Sequence, residues 1–436
     1  MSKKAAKTPA KTTQKTIKKV KRHLVSYGIV LAILIGLGTW LGITIVKNWH
    51  NDKQQNKYQQ SIQAFYNVPS PLPSDTPGTL IRSEKITNVS VPNGGTAYRI
   101  LYVTQTPNGK PSVSSGVAFI PAGEASSGGR KVIAWAHGTL GLGDSCAPSR
   151  SDPTSDMDDW LDGAMQRGYI VTATDYAGLG TAGNPYYLVG QSEANDVINS
   201  VRAVRNMPSA QASNQYVAWG HSQGGHSALF TATQAASYAP ELKLVGVAAA
   251  APAAELTALF AEQYNKTVAW AIGPDTAVSW PNIYPHLEIT GILTSDAQRQ
   301  YNRLAYTCLH KQGLGLAIRN TFKSQFFASN PMQNSDWAKA AAEQTPDVSK
   351  ITVPMFISQG LNDVVVLPDT TALLVQKSCA AGKLITADWM GNVQHQYTAT
   401  SSGPSVMAWI QDRFNGKLAT STCDQPLPLQ PASSQP

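Results

Sequence analysis

The strongest constraint on this 436-residue chain is one unbroken run near its middle. Gln215–Trp219 is short, apolar and strand-like; Gly220-His221-Ser222-Gln223-Gly224 follows; Gly225–Phe230 then reads as the start of a helix. The pattern G-x-S-x-G is weak alone. Set between a strand and a helix, it predicts a nucleophile elbow. The reason is steric. So tight a turn strains the serine backbone and leaves no room for side chains at Gly220 and Gly224. It also exposes the hydroxyl above a helix amino terminus, where the helix dipole favours negative charge.

The rest of the chain supplies a matching frame. Tyr98–Thr106, Val117–Ile120, Lys131–Ala136, Tyr169–Thr174, Leu242–Ala248, Val353–Ser358 and Lys383–Ala387 are further strand-like runs. Helical patterns fall between several of them, at Asp159–Arg167, Glu193–Asn206, Gly225–Tyr238 and Pro368–Cys379. This alternation predicts an α/β fold with a mainly parallel sheet. The rhythm breaks over about 254–346, where apolar positions are helix-spaced. That interval is expected to be an inserted helical cap.

A serine hydroxyl needs a base, and the base needs an orienting acid. In the α/β-hydrolase order both follow the serine. Only one histidine lies beyond residue 310, and it is His395, just after the last expected strand. Asp363 follows the strand Val353–Ser358 directly and is the first choice for the acid, ahead of Asp369 and Asp388. An oxyanion site needs backbone amides. The amide of Gln223 is one, and the His137-Gly138-Thr139 loop points to the Thr139 amide as the second. His221 and His226 are too near Ser222 to serve as its base and are expected to pack the elbow or cap local backbone. His286 and His310 lack ligand spacing, so no metal site and no cofactor are expected.

The formal net charge of +8 is misleading about partners. Residues 1–51 hold ten Lys/Arg and no acid, while the remainder has 25 basic and 27 acidic residues. The main domain therefore has no basic excess for nucleic acid. Leu24–Val46 is uncharged and mostly apolar over 23 residues, long enough to span a bilayer. No small-x-small site follows it. We expect a basic cytoplasmic stub (1–23), a transmembrane signal anchor (24–46) and a polar, Pro-rich linker (47–78). A hydrolase domain (79–423) and a loose Pro-rich tail (424–436) complete the chain. The catalytic domain then lies outside the cytoplasm, on the periplasmic or cell-surface side. It would be secreted if the amino-terminal segment were cleaved. Four cysteines in an exported chain, Cys146, Cys308, Cys379 and Cys423, suggest two disulfides with three possible connectivities.

Several motifs taken together resemble one family. They are His137-Gly138-Thr139, Cys146-Ala147-Pro148-Ser149, Asp175-Tyr176-Ala177-Gly178-Leu179-Gly180, Gly220–Gly225 and Gln359-Gly360-Leu361-Asn362-Asp363. The set resembles the secretory lipases, α/β-hydrolases that include the fungal lipase A type and bacterial relatives. The likeness covers roughly residues 79–423. It implies hydrolysis of carboxylic esters such as acylglycerols, a helical cap, Cys146–Cys308 and Cys379–Cys423 pairing, and no metal. The long apolar segment departs from the freely secreted fungal pattern. The rival readings are acyl transfer or peptide hydrolysis on the same three residues, or a non-catalytic anchored binding module.

Overall fold

The computed structural model describes residues 53–157 and 159–433. The expected stub and membrane anchor lie outside these residues. Among the described residues, no helix is long and apolar enough to cross a membrane. The chain divides into two units, one ending at Ser61 and one beginning at Ile62. A helix, α1 (53–62), spans the end of the first.

The second unit is built on a nine-stranded sheet: β1 (Leu80–Ile86), β2 (Thr96–Gln105), β3 (Pro111–Ile120), β4 (Arg130–Ala136), β5 (Ile170–Thr174), β6 (Ala212–His221), β7 (Lys243–Ala250), β8 (Met355–Gly360) and β9 (Ile385–Met390). The spatial order is β1-β2-β3-β5-β4-β6-β7-β8-β9. The first three strands run antiparallel, and β3 meets β5 antiparallel. Every pairing from β5 through β9 is parallel. The middles of the central strands are mostly apolar because both faces are covered. Val132, Ala134, Ala136, Tyr216 and Ala218 face one core, and Ile133, Trp135, Val217 and Trp219 face the other.

Helices α3 (Gly190–Arg205), α4 (Gln223–Tyr238) and α10 (Pro368–Ala380) contribute to the first core, and α2 (Leu161–Gln166) and α12 (Gly403–Phe414) to the second. The second core holds a cluster of three buried indoles. Trp135 lies 4.9 Å from Trp160 and 5.1 Å from Trp219 between ring centres. A short α11 (Thr398–Ser401) precedes α12.

Between β7 and β8 lies the helical insertion: α5 (Leu256–Gln263), α6 (Ala269–Ser279), α7 (Ser295–Ala305), α8 (Gly313–Thr321) and α9 (Ser335–Glu343). It has its own apolar centre, in which Phe260, Trp270, Trp280, Phe326, Phe327 and Trp337 are fully buried.

Three details differ from the sequence reading. Strand β1 was not expected. Its residues (LIRSEKI) are half polar because it is an edge strand open to water on one side. The linker is not an extended spacer throughout. Gln63–Tyr66 forms a 3₁₀ turn with Phe65 and Tyr66 buried, and Tyr66 hydrogen-bonds Ser149 at 2.8 Å. Nor is the tail wholly loose: Leu427 packs against the first core, and the Ala432 amide donates to the Asp369 carbonyl.

The disulfides pair Cys146 with Cys308 and Cys379 with Cys423. The first joins the loop after β4 to the insertion. Two backbone hydrogen bonds run beside it, from Leu309 to Leu140 and from Leu142 to Ala305. The second ties the end of α10 to the segment that pairs with β9 through Thr422 and Ile385.

Candidate active site

Strands β4 and β6 lie side by side at the point where strand order reverses, so the loops after them open a crevice at the carboxyl edge of the sheet. Ser222 sits where β6 turns into α4. Its φ of 58° and ψ of −116° are strained for a residue with a side chain. Two contacts explain the flanking glycines. A Cβ on Gly220 would meet the Gly224 carbonyl, and one on Gly224 would meet the Ala136 carbonyl on neighbouring β4. The strained serine is held by its own backbone. Its amide donates to Ala250, and its carbonyl accepts from Ala253 and His226.

The structure brings Ser222 together with two residues that sequence reasoning nominated. His395 Nε2 lies 2.9 Å from Ser222 Oγ, and His395 Nδ1 lies 2.7 Å from Asp363 Oδ2. Asp363 is buried after β8. Its Oδ1 accepts from the amides of Val365 and Val366, and its Oδ2 also accepts from the Gln359 side chain. These donors fix the carboxylate in place. Its hydrogen bond to Nδ1 then sets the tautomer that leaves Nε2 free to accept a proton from Oγ. Burial holds the His395 imidazole below its ordinary pKa, despite the opposing hydrogen bond to Asp363; the nearby His221 ring also lowers it. The other two acids stand apart: Asp388 bonds Ser405, and Asp369 lies near Glu262.

Gln223 is the first residue of α4, so its amide has no partner within the helix. Gly138 packs against the elbow: a Cβ there would lie 3.4 Å from Ser222 Cβ. Thr139 lines the same cavity as Ser222, and its hydroxyl hydrogen-bonds Tyr187 at 2.8 Å. That cavity measures about 1010 Å³. Ser222 and His395 line it together with Val268, Ala271, Ile272, Leu309 and Leu316 of the insertion and with Val364 and Val365 after β8. Among the described residues, no group of three His, Cys, Asp or Glu side chains could hold a metal.

Sequence reasoning gives His221 a packing or backbone-capping role and no link to Asp156. Here His221 Nε2 donates to the His395 carbonyl at 2.9 Å, and Asp156 Oδ2 lies 3.7 Å from His221 Nδ1. No spacing signal marks Asp156, which comes from a loop far from the motif.

A strained serine between strand and helix, hydrogen-bonded through a histidine to a carboxylate at the carboxyl edge of such a sheet, defines an α/β-hydrolase. The particular group follows from sequence comparison: the chain belongs to the secretory lipase family, whose model matches residues 154–422. It is a carboxylic ester hydrolase by class. It is 24% identical over 390 residues to lipase A of Moesziomyces aphidis, covering 84% of this chain and 82% of that protein. It is 26% identical over 403 residues to a secreted triacylglycerol lipase of Malassezia globosa, covering 83% and 82%. Its fold is similar to Candida antarctica lipase A in the closed state, with a TM-score of 0.66 at 21% identity, covering 85% of this chain and 90% of that one. A rice cell wall degrading esterase from Xanthomonas oryzae matches with a TM-score of 0.64 at 21% identity, covering 78% and 99%.

Proposed function

We propose that this protein hydrolyses carboxylic esters with apolar acyl groups by a serine acyl-enzyme mechanism. The observation that carries the reading is the hydrogen-bonded line Ser222–His395–Asp363 opening into a large, partly apolar cavity. His395 Nε2 takes the Ser222 proton as Oγ attacks the ester carbonyl. Asp363 orients the imidazole and offsets its positive charge. The amides of Gln223 and Thr139 receive the developing oxyanion. His395 then protonates the leaving alcohol, and a water activated by the same imidazole releases the acid.

The place of action is extracytoplasmic. Two disulfides fit an oxidising compartment. Residues 24–46 serve as an uncleaved anchor, with residues 1–23 on the cytoplasmic side. Mass analysis of the membrane-bound protein is expected to find the intact amino terminus; a soluble form starting near Asn48 would reject the anchor.

The chemistry is tested with a fluorophosphonate probe and a series of nitrophenyl esters. Labelling is expected at Ser222, and Ser222→Ala is expected to lower ester turnover roughly 10⁵- to 10⁶-fold without loss of fold. Labelling elsewhere, or a variant with near-normal turnover, would overturn the assignment.

A further inference from the structure

A second acid–imidazole pair lies directly beneath the elbow, and the chemistry above does not use it. Glu193, in the first turn of α3, is 1% exposed, and His226, in the first turn of α4, is fully buried. The Glu193 carboxylate accepts from the Leu188 amide at 3.0 Å, the Gln223 side-chain amide at 2.8 Å and the Ser227 hydroxyl at 2.8 Å. It also meets His226 Nδ1 at 2.7 Å. His226 Nε2 lies 2.8 Å from the Gln344 carbonyl, which can only accept. Nε2 therefore carries a proton, and Nδ1 shares one with the Glu193 carboxylate.

Burying an acid and an imidazole together is costly, and an apolar pair of similar volume is often as stable. The pair's connections suggest what it does instead. Through Gln223 it grips the residue after Ser222, whose backbone amide is the proposed oxyanion donor. Through Gln344 it reaches the cap. The Gln344 side chain accepts from the Gly190 amide at 2.8 Å and donates to the Tyr284 hydroxyl at 2.7 Å.

We infer that Glu193 and His226 form an ion pair that positions the oxyanion-binding amide, holding Gln223 by its side chain and seating the elbow against the cap. The inference rests on the proposed role of Gln223 in ester hydrolysis. Glu193 is a positioning residue: it acts through Gln223 and touches no substrate.

The test uses the full chain. A boronic acid that forms a tetrahedral adduct on serine reports the oxyanion site, and ¹⁵N-histidine NMR reports the protonation of His226. Removing one oxyanion donor outright costs about 10²- to 10³-fold in kcat. Misplacing one should cost less. Glu193→Gln is expected to lower kcat and boronate affinity together by about 10- to 100-fold, with KM little changed. His226, doubly protonated in the wild type, should become neutral in that variant. Gln223→Met severs only the tether. It is expected to lower kcat and boronate affinity similarly while His226 stays charged, and it carries the test if Glu193→Gln does not fold. Wild-type-like kcat and boronate affinity in folded Gln223→Met would overturn the inference. So would a neutral His226 in the wild-type protein, or a rise in KM matching the fall in kcat. Absence of ester turnover in the wild type would instead overturn the hydrolase reading beneath it, a result the NMR signal cannot mimic.

Discussion

The imidazole of His221 donates from Nε2 to the backbone carbonyl of His395, and the two rings lie 4.8 Å apart. The residue before Ser222 thus fixes the loop that carries His395. The same proximity sets the pH response. Burial and the His221 ring lower the His395 pKa, while Asp363 and Asp156 raise it. Only neutral His395 can accept the Ser222 proton. kcat/KM on a soluble short ester is therefore expected to rise with pH through a midpoint below about 6.5 and then level off. Asp156→Asn removes a negative charge and should move that midpoint down. His221→Asn keeps a donor but removes the ring that lowers the His395 pKa and should move it up. Shifts of the same sign in both variants would refute this account.

Gly224 is the elbow's least replaceable glycine. A Cβ there meets the carbonyl of Ala136, a backbone atom in the centre of the sheet that cannot swing aside. Gly224→Ala must push β4 and the elbow apart. Overpacking of this kind commonly costs about 1–3 kcal/mol, and here it also displaces Ser222 from His395. Lower thermal stability and much slower fluorophosphonate labelling are expected. Wild-type labelling rates would show that the turn has slack.

Sequence legibility followed burial. Strands β4 to β8 could be read because both faces are covered and their middles are short, mostly apolar runs. Strand β1 could not, since an edge strand with Arg82, Glu84 and Lys85 carries little hydrophobic signal. At the site, Ser222, Asp363 and His395, which the structure brings into one hydrogen-bonded line, could be nominated because each follows a recognisable strand in the expected order. Glu193 was hidden: an acid within a helical pattern ordinarily marks the solvent face, and nothing local reveals that it lies buried against His226. Asp156 was hidden because its partner, His221, is brought to it only by the fold.

The two disulfides should separate stability from activity. Cys146 and Cys308 are 162 residues apart, and Cys379 and Cys423 are 44 apart. In the loop-entropy picture, bonds closing such loops contribute about 5 and 4 kcal/mol, as upper values. Cys379→Ser with Cys423→Ser is expected to lower the melting temperature while leaving kcat at 25 °C nearly unchanged. Cys146→Ser with Cys308→Ser should lower both, because that bond ties the Gly138–Thr139 loop to the cap. Equal kcat in the two double variants would show that the backbone bonds at Leu140 and Leu142 suffice to hold the loop.

The cavity wall offers the last test. Ile272 on α6 and Leu316 on α8 both line the space leading away from Ser222. If this is the acyl channel, filling it should penalise long acyl chains and spare short ones. One missing or blocked methylene in an apolar pocket is worth about 1–3 kcal/mol. Ile272→Trp or Leu316→Trp is therefore expected to lower the decanoate-to-acetate ratio of kcat/KM at least about tenfold, with acetate turnover near wild type. Retention of the wild-type ratio in both variants would place the acyl chain elsewhere, against the Val364–Val365 side of the cavity.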